Sequence, residues 1–305
     1  MKLAVIIPVL NAEKTLSGLL ASIEQQTIAP DYRVVLDSES DDSTVAQAVS
    51  YGWTIVPVKR ADFDHGDTRQ QAVNMFDAEI IIFMTQDTVL ADVHSLQKLL
   101  ECFADELVGA AYGRQLPRPG AGLLEAHSRL FNYPQTSQVK SFSSIPQLGI
   151  KAAFLSDSFA AYRRSALEAV GGFPARIISG EDMIVGAKLL MAGWRIAYCA
   201  EAVVYHSHQY NCWQEFQRYF DTGVMHSNEK HIIERFGKVS GEGWRYVCSE
   251  LSFVGKQGKW RSGPRVVFRN MLKYAGYRLG RCEQRLPLWL KLCFSMNRGY
   301  WKKPK

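Results

Sequence analysis

Long apolar runs are missing: nothing in the 305 residues approaches the roughly 18 to 20 consecutive apolar positions that cross a bilayer. No spanning helix is expected. The opening Met1-Lys2 and the following Leu3–Leu10 have no small-residue cleavage site behind them, so they read as a strand, and the protein is expected in the cytoplasm. Cysteine is sparse as well. The six cysteines (Cys102, Cys199, Cys212, Cys248, Cys282 and Cys293) lie far apart with no CxxC pair, which argues against a zinc knuckle or a disulfide framework and for reduced, mostly buried thiols. Internal repeats and low-complexity tracts are also lacking, and 47% hydrophobic with 22% charged residues excludes a disordered or fibrous chain.

Acidic residues are scarce in one place. Residues 241–305 hold 15 Lys plus Arg against three acids, Glu242, Glu250 and Glu283, whereas residues 1–240 hold 21 bases and 27 acids. A globular part, 1–240, and a basic, aromatic-rich extension, 241–305, are therefore expected. A basic extension on an acidic globule suggests an anionic partner, either lipid headgroups or nucleic acid.

What is present is a regular alternation. Leu3–Leu10, Arg33–Leu36, Thr54–Val58 and Glu79–Met84 read as strands, the first and last as continuous apolar runs typical of a sheet buried on both faces. Helical spacing separates them: Leu16, Leu19, Leu20 and Ile23, then a helix opened by Asp42-Ser43-Thr44, then Asp67–Phe76. This βαβαβαβ order predicts an α/β fold with a doubly wound, mostly parallel sheet, its ligands beyond the carboxyl ends of the strands. Residues 112–160, with Pro117, Pro119, Pro134 and Pro146, read as a looser region suited to an acceptor-facing lid. Helices at Ser165–Val170 and Asp182–Met191 and a strand at Ala197–Tyr205 follow.

Three carboxylate-bearing loops fall where such a sheet places a ligand. Asp37-Ser38-Glu39-Ser40-Asp41-Asp42 follows a strand and precedes a helix; it fits a solvated, helix-capping turn as well as a loop in which Asp37 accepts the ring N–H of a pyrimidine. Thr85-Gln86-Asp87 ends an apolar strand, where a carboxylate needs water, a donor or a cation, so Asp87 is either an ordinary strand-end aspartate or a ligand to metal or ribose. Gly180-Glu181-Asp182 heads a helix, and the helix dipole alone accounts for acids in a first turn.

Taken in order, Val5-Ile6-Ile7-Pro8-Val9-Leu10-Asn11, the Asp37–Thr44 turn, Thr85-Gln86-Asp87, Gly171-Gly172-Phe173 and Glu181-Asp182 resemble a family 2 glycosyltransferase with the GT-A fold, over residues 3 to about 208. Phe63-Asp64-His65-Gly66-Asp67-Thr68-Arg69 and Arg218-Tyr219-Phe220-Asp221-Thr222-Gly223 are similar to the rhamnosyltransferase branch, whose donor is dTDP-L-rhamnose. The resemblance implies that residues 1–240 bind a nucleotide sugar and carry the catalytic site. Asp37 would hold the base, with Pro8 and Asn11 packing around it and Ser38 beside it. Arg69 would sit near the diphosphate, where a guanidinium fork matches phosphate oxygens, and Gln86 and Glu181 would join the substrate site. Asp87 would coordinate Mg2+ or Mn2+. Asp182 would be the general base that takes the acceptor's proton as its oxygen attacks the anomeric carbon with inversion, a displacement for which one base suffices.

One position departs from that pattern. Thr85 stands where the metal motif has its first aspartate, which weakens the expectation of metal dependence and leaves a pseudo-transferase that binds nucleotide without turnover as a third reading. His206 or His208 would supply a further ligand, or else be a strand-end histidine bonded to a neighbouring loop. For His65, a contact to a phosphate or sugar hydroxyl stands beside a structural loop role.

Trp244, Trp260, Trp289 and Trp301 lie among bases in the extension, and Leu286, Leu288, Leu290, Leu292 and Phe294 alternate nearer to strand than to helix period. Two readings fit, an interfacial segment touching an anionic membrane at the inner face of the cell membrane, or a basic helical pair closing the globule. The first suits a glycan or lipid-linked acceptor in surface polysaccharide synthesis. A nucleic-acid-binding module is the rival class. It lacks the aromatic spacing of RNA recognition, and the acidic residues 1–240 would repel a phosphate backbone, so no nucleic acid partner is expected.

Overall fold

The computed structural model describes residues 1–237 and 241–303. Nine strands form one sheet: β1 (Leu3–Val9), β2 (Tyr32–Asp37), β3 (Thr54–Pro57), β4 (Ile80–Met84), β5 (Val89–Leu90), β6 (Val108–Leu116), β7 (Gln138–Lys140), β8 (Phe159–Arg163) and β9 (Arg195–Tyr205). Their order is β3-β2-β1-β4-β8-β6-β9-β5, with β7 on β9. The pairs β2–β3, β1–β2 and β1–β4 are parallel, as is β6–β9; β8 runs antiparallel to both β4 and β6. β5 and β7 also run antiparallel, both to β9; the reversal of β8 has a consequence for the site, because the start of β8 lies beside the end of β4, with Phe159 opposite Met84.

The sheet is buried on both faces. On one side Val5, Ile7, Ile80 and Ile82 pack on α1 (Leu16–Glu24) through Leu16, Leu19, Leu20 and Ile23. On the other, Ala4, Ile6, Ile81 and Phe83 meet α3 (His65–Met75) and α8 (Glu181–Met191). The periodicities of two and 3.6 decide which residues face which layer. Between α1 and α3 lies α2 (Thr44–Ser50), whose first turn is closed by Asp42 Oδ1 accepting from the Thr44 amide at 2.9 Å.

Residues 112–160 are more regular than expected. They hold the end of β6, a helix α5 (Leu123–Asn132), β7 and a short helix α6 (Ile145–Leu148). The prolines punctuate these elements without dissolving them: Pro117 follows β6, Pro134 follows α5, and Pro146 occupies the first turn of α6, where a missing amide costs nothing. In place of a free lid, α5 packs on the C-terminal part, its buried His127 bonded to Ser249 at 2.9 Å.

The remaining helices are α4 (Ser95–Glu101), α7 (Arg164–Ala169), α9 (Cys212–Asn228), α10 (Lys230–Phe236), α11 (Glu242–Lys256), α12 (Gly263–Arg281) and α13 (Leu288–Phe294). The alternation at residues 286–294 resolves into a helix, not a strand. Pro287 precedes its first turn, and Phe294 turns inward onto Phe216 and Phe220. Helix α12 lies against α9 at backbone contact: a Cβ on Gly280 would stand 2.0 Å from the Phe220 carbonyl oxygen, and one on Gly276 2.4 Å from that of Phe216. The extension is thus docked on the globule. The cysteines are not mostly buried as expected: Cys199 on β9 is, but Cys248, Cys282 and Cys293, on or beside the helices of the extension, are exposed.

Candidate active site

The parallel strands bring their carboxyl ends to one edge, and hydrogen bonds join the loops there. Asn11 and Glu39 both take left-handed backbone (φ 48° and 59°), the conformation in which a tight loop aims successive amides outward. The Asn11 amide donates to Ser40 Oγ at 2.9 Å, and Asn11 Oδ1 accepts from the Asp41 amide at 2.9 Å. Gln86 clasps the first loop from the other side, accepting from the Leu10 amide at 2.8 Å and donating to the Leu10 carbonyl at 3.2 Å. Asp37 is buried and accepts from the Ser40 amide, with Ser38 buried next to it and Pro8 in register with Leu36. Asn11, Lys14, Asp41, Gln86, Asp87 and His208 line a cavity of about 780 Å³. A larger one, about 1420 Å³, opens between β3, α3 and the C-terminal segment and contains neither Asp87 nor Asp182.

Asp87 forms the centre of a cluster with the two histidines. His206 Nε2 lies 3.4 Å from Asp87 Oδ1 and His208 Nδ1 3.5 Å from Oδ2, and one ligand atom from each of the three falls within 4.8 Å of the others. Burial opposes charge on Asp87, yet the carboxyl is held well below the usual range, with the Arg118 guanidinium 3.3 Å away favouring its ionised form. Burial lowers both histidines, His208 to about 3, so both are neutral.

The orientation of His206 tests whether a cation fits. Arg129 Nη1 donates to Gln115 Oε1 at 2.7 Å, which identifies that atom as the acceptor of the amide. The same oxygen is 2.9 Å from His206 Nδ1, so Nδ1 carries the proton and Nε2 presents a lone pair. That lone pair is buried, has no hydrogen-bond partner and faces a carboxylate. Two facing acceptors are reconciled by a cation between them, and the donor set of one carboxylate and two imidazoles suits a divalent metal. Thr85 Oγ1 is buried without a partner; a threonine there adds no second carboxylate, and the histidines that follow β9 would have to make up the ligand number of any bound cation.

Asp182 reaches the same edge through β8. The Asp157 amide, two residues before β8, donates to Asp182 Oδ2 at 3.3 Å, and Asp182 Oδ1 accepts from the Met183 amide at 2.7 Å. Arg69 binds the carboxylates around it, with Nε 2.7 Å from Asp157 and Nη1 3.0 Å from Glu181. Burial raises Asp157 to about 6 despite Arg69, and burial with the neighbouring Asp157 and Glu181 raises Asp182 well above an ordinary aspartate. Glu181, also opposed by burial, is held low by Arg69 and His65.

Two expected substrate residues are committed inward. Arg69 is 5% exposed, and its ion pairs with Asp157 and Glu181, plus a bond to the His65 carbonyl at 2.7 Å, commit its guanidinium to the protein rather than to a diphosphate; it is the counter-charge under the start of α8. Glu181 is buried against it. His65 is partly exposed, 3.5 Å from Asn297 Oδ1. The residues missed by sequence reasoning are Gln115, Arg118, Asp157 and Asn297. Asn297 donates to the Ile178 carbonyl at 2.9 Å while its amide donates to Asp221 at 3.0 Å, so the C-terminal segment straps the loop leading to Asp182 onto α9. Asp221 belongs to the Arg218–Gly223 motif, which was the available signal.

These features define a class of enzyme. The chain matches the model of glycosyl transferase family 2 over residues 4–171, and it belongs to that family and is a glycosyltransferase of the GT-A fold. It is 47% identical over 303 residues, 99% of this chain and 96% of the relative, to the O-antigen chain rhamnosyltransferase RfbN of Salmonella typhimurium strain LT2. It is 43% identical, over 92% of this chain and 89% of the other, to the O-antigen chain rhamnosyltransferase WbaN of Salmonella anatum. Among solved structures, it resembles the mannosyltransferase PcManGT of Pyrobaculum calidifontis in complex with GDP-Man and Mn2+ (TM-score 0.57, 18% identity, 98% of this chain and 84% of that one). It also resembles glucosyl-3-phosphoglycerate synthase of Mycobacterium tuberculosis with Mn2+ and UDP (TM-score 0.54, 18% identity, 79% and 82%).

Proposed function

We propose that this chain transfers L-rhamnose from dTDP-L-rhamnose, with inversion, to a hydroxyl of a glycan or lipid-linked acceptor in surface polysaccharide synthesis, working at the inner face of the cell membrane. The rhamnosyltransferase activity for which the two Salmonella relatives are named, matched over nearly the whole chain, supports the sugar. The observation that carries the mechanism is a pair of unlike carboxylates at one sheet edge: Asp87 held ionised beside two neutral histidines, Asp182 raised by burial and by its acidic neighbours.

Environments that push two carboxylates apart separate their roles. Asp182 takes the proton of the acceptor hydroxyl as that oxygen bonds to the anomeric carbon; the bond from that carbon to the phosphate oxygen breaks, and its electron pair leaves with dTDP. The raised affinity of Asp182 for a proton makes it the stronger base once ionised. Asp87, His206 and His208 would hold Mg2+ or Mn2+, whose charge offsets that building on the departing diphosphate. Arg118, partly exposed beside Asp87, adds a cation on the same side. Asp37 and Ser38 at the end of β2, with Pro8 and Asn11 at the end of β1, would receive the base.

A panel of nucleotide sugars tests this reading. With dTDP-L-rhamnose the enzyme should show donor turnover and a raised melting temperature, and Asp182→Asn should keep the melting shift while losing transfer by roughly 100-fold or more. Preferred turnover of a UDP or GDP sugar would remove the donor assignment; near wild-type transfer by Asp182→Asn would remove the base.

A further inference from the structure

Helix α12 is inside out. Its inward face, Val266, Arg269, Lys273, Gly276 and Gly280, is buried. There Lys273 Nζ lies 3.1 Å from Glu215 Oε2 and Arg269 pairs with the same carboxylate. Its outward face carries Val267, Phe268, Met271 and Tyr274, exposed at 44, 56, 64 and 62%, at the spacing of a single helical stripe. A helix of a water-bounded globule has the opposite arrangement. Trp260, just before α12, is 73% exposed, yet its ring lies so close over Gly255 that a Cβ there would stand 2.4 Å from it. One part of the indole rests on the Gly255 backbone while most of its surface faces outward.

The charge around this stripe has one sign. Residues 251–282 contain no aspartate or glutamate, and Lys256, Lys259, Arg261, Arg265 and Arg278 are exposed. Among the described residues no helix is long and apolar enough to cross a membrane, so this face can lie on a bilayer but not enter as a span. An apolar stripe flanked by bases is the pattern of a surface seated at the headgroup level, the aromatic and Met side chains in the acyl boundary and the bases against lipid phosphates. A phosphate backbone alone would leave Val267, Phe268 and Met271 uncovered, and a second copy would set like charges against each other.

We propose that the Trp260–Tyr274 face docks this enzyme onto an anionic phospholipid bilayer. The proposal builds on the membrane-side reading above, locating its contact surface, but its test needs no sugar transfer. Flotation of the full-length protein with vesicles of phosphatidylethanolamine and phosphatidylglycerol, against phosphatidylcholine alone, should show binding only to the anionic set. Phe268→Ser with Met271→Ser should weaken that binding by roughly tenfold or more, since each loses a buried apolar group, while the melting temperature and donor hydrolysis in solution stay unchanged. Three results would overturn it: no partition of the parent protein, equal partition of the double variant, or a concentration-dependent dimer that the double variant abolishes. Loss of donor hydrolysis in the parent protein would count against the transferase reading instead, leaving the vesicle result to stand by itself.

Discussion

His206 Nδ1 lies 2.9 Å from Gln115 Oε1, and this bond sets which ring nitrogen faces Asp87. Gln115 is in turn held by Arg129 and by Ser156 Oγ, at 2.7 and 2.8 Å, so the imidazole is oriented before any cation arrives. A partner of this kind governs metal affinity without touching the metal.

Replacing it should therefore be visible in binding. Gln115→Ala is expected to weaken Mn2+ affinity about 10- to 100-fold, read by isothermal titration, and EDTA should suppress transfer by the parent enzyme with recovery on added Mn2+. Unchanged affinity in the variant, or full activity after chelation, would make the Asp87–His206–His208 cluster a polar network without a cation.

The base is expected to set the acid limb of the pH profile. Burial raises Asp157 to about 6 and Asp182 well above an ordinary aspartate, and the group titrates together. These carboxyls bind protons more tightly folded than unfolded. They favour the folded state most at low pH, and that contribution is lost as pH rises through about 6. Transfer moves oppositely: it needs Asp182 ionised, so kcat should fall about tenfold per pH unit on the acid side of the cluster's titration. A profile flat between pH 7 and 5 would exclude the assignment.

Arg69 should matter for stability before it matters for substrate. Removing it leaves Asp157 and Glu181 buried without a counter-charge, a change that costs on the order of 3–5 kcal/mol. Arg69→Met should lower the melting temperature sharply at pH 8 and less at pH 5, where the carboxyls take up protons. An unchanged melt with a raised Michaelis constant for the donor would instead return Arg69 to the diphosphate.

How much was legible follows from the geometry of each element. Strands β1 to β4 and helices α1 and α3 could be read because an apolar period reports burial directly. The loops after β1, β2 and β4 followed from them, since parallel strands send all carboxyl ends to one edge. Asp157 escaped because β8 runs backwards: the residue before a reversed strand reaches the edge where the others place the residue after. Gln115 escaped because nothing local distinguishes a strand-end glutamine that orients a histidine 91 positions later.

In the extension the chain's own composition determined that a basic, aromatic-rich segment follows an acidic globule. Only the tertiary structure decided which side of α12 meets water. Glu215, on a helix far earlier in the chain, draws Arg269 and Lys273 inward, because a buried carboxylate must be paired, and Phe268 and Met271 are turned outward as the remaining face. The letters carry the residues and their spacing; which charge meets which partner across the fold is a matter of distance in space.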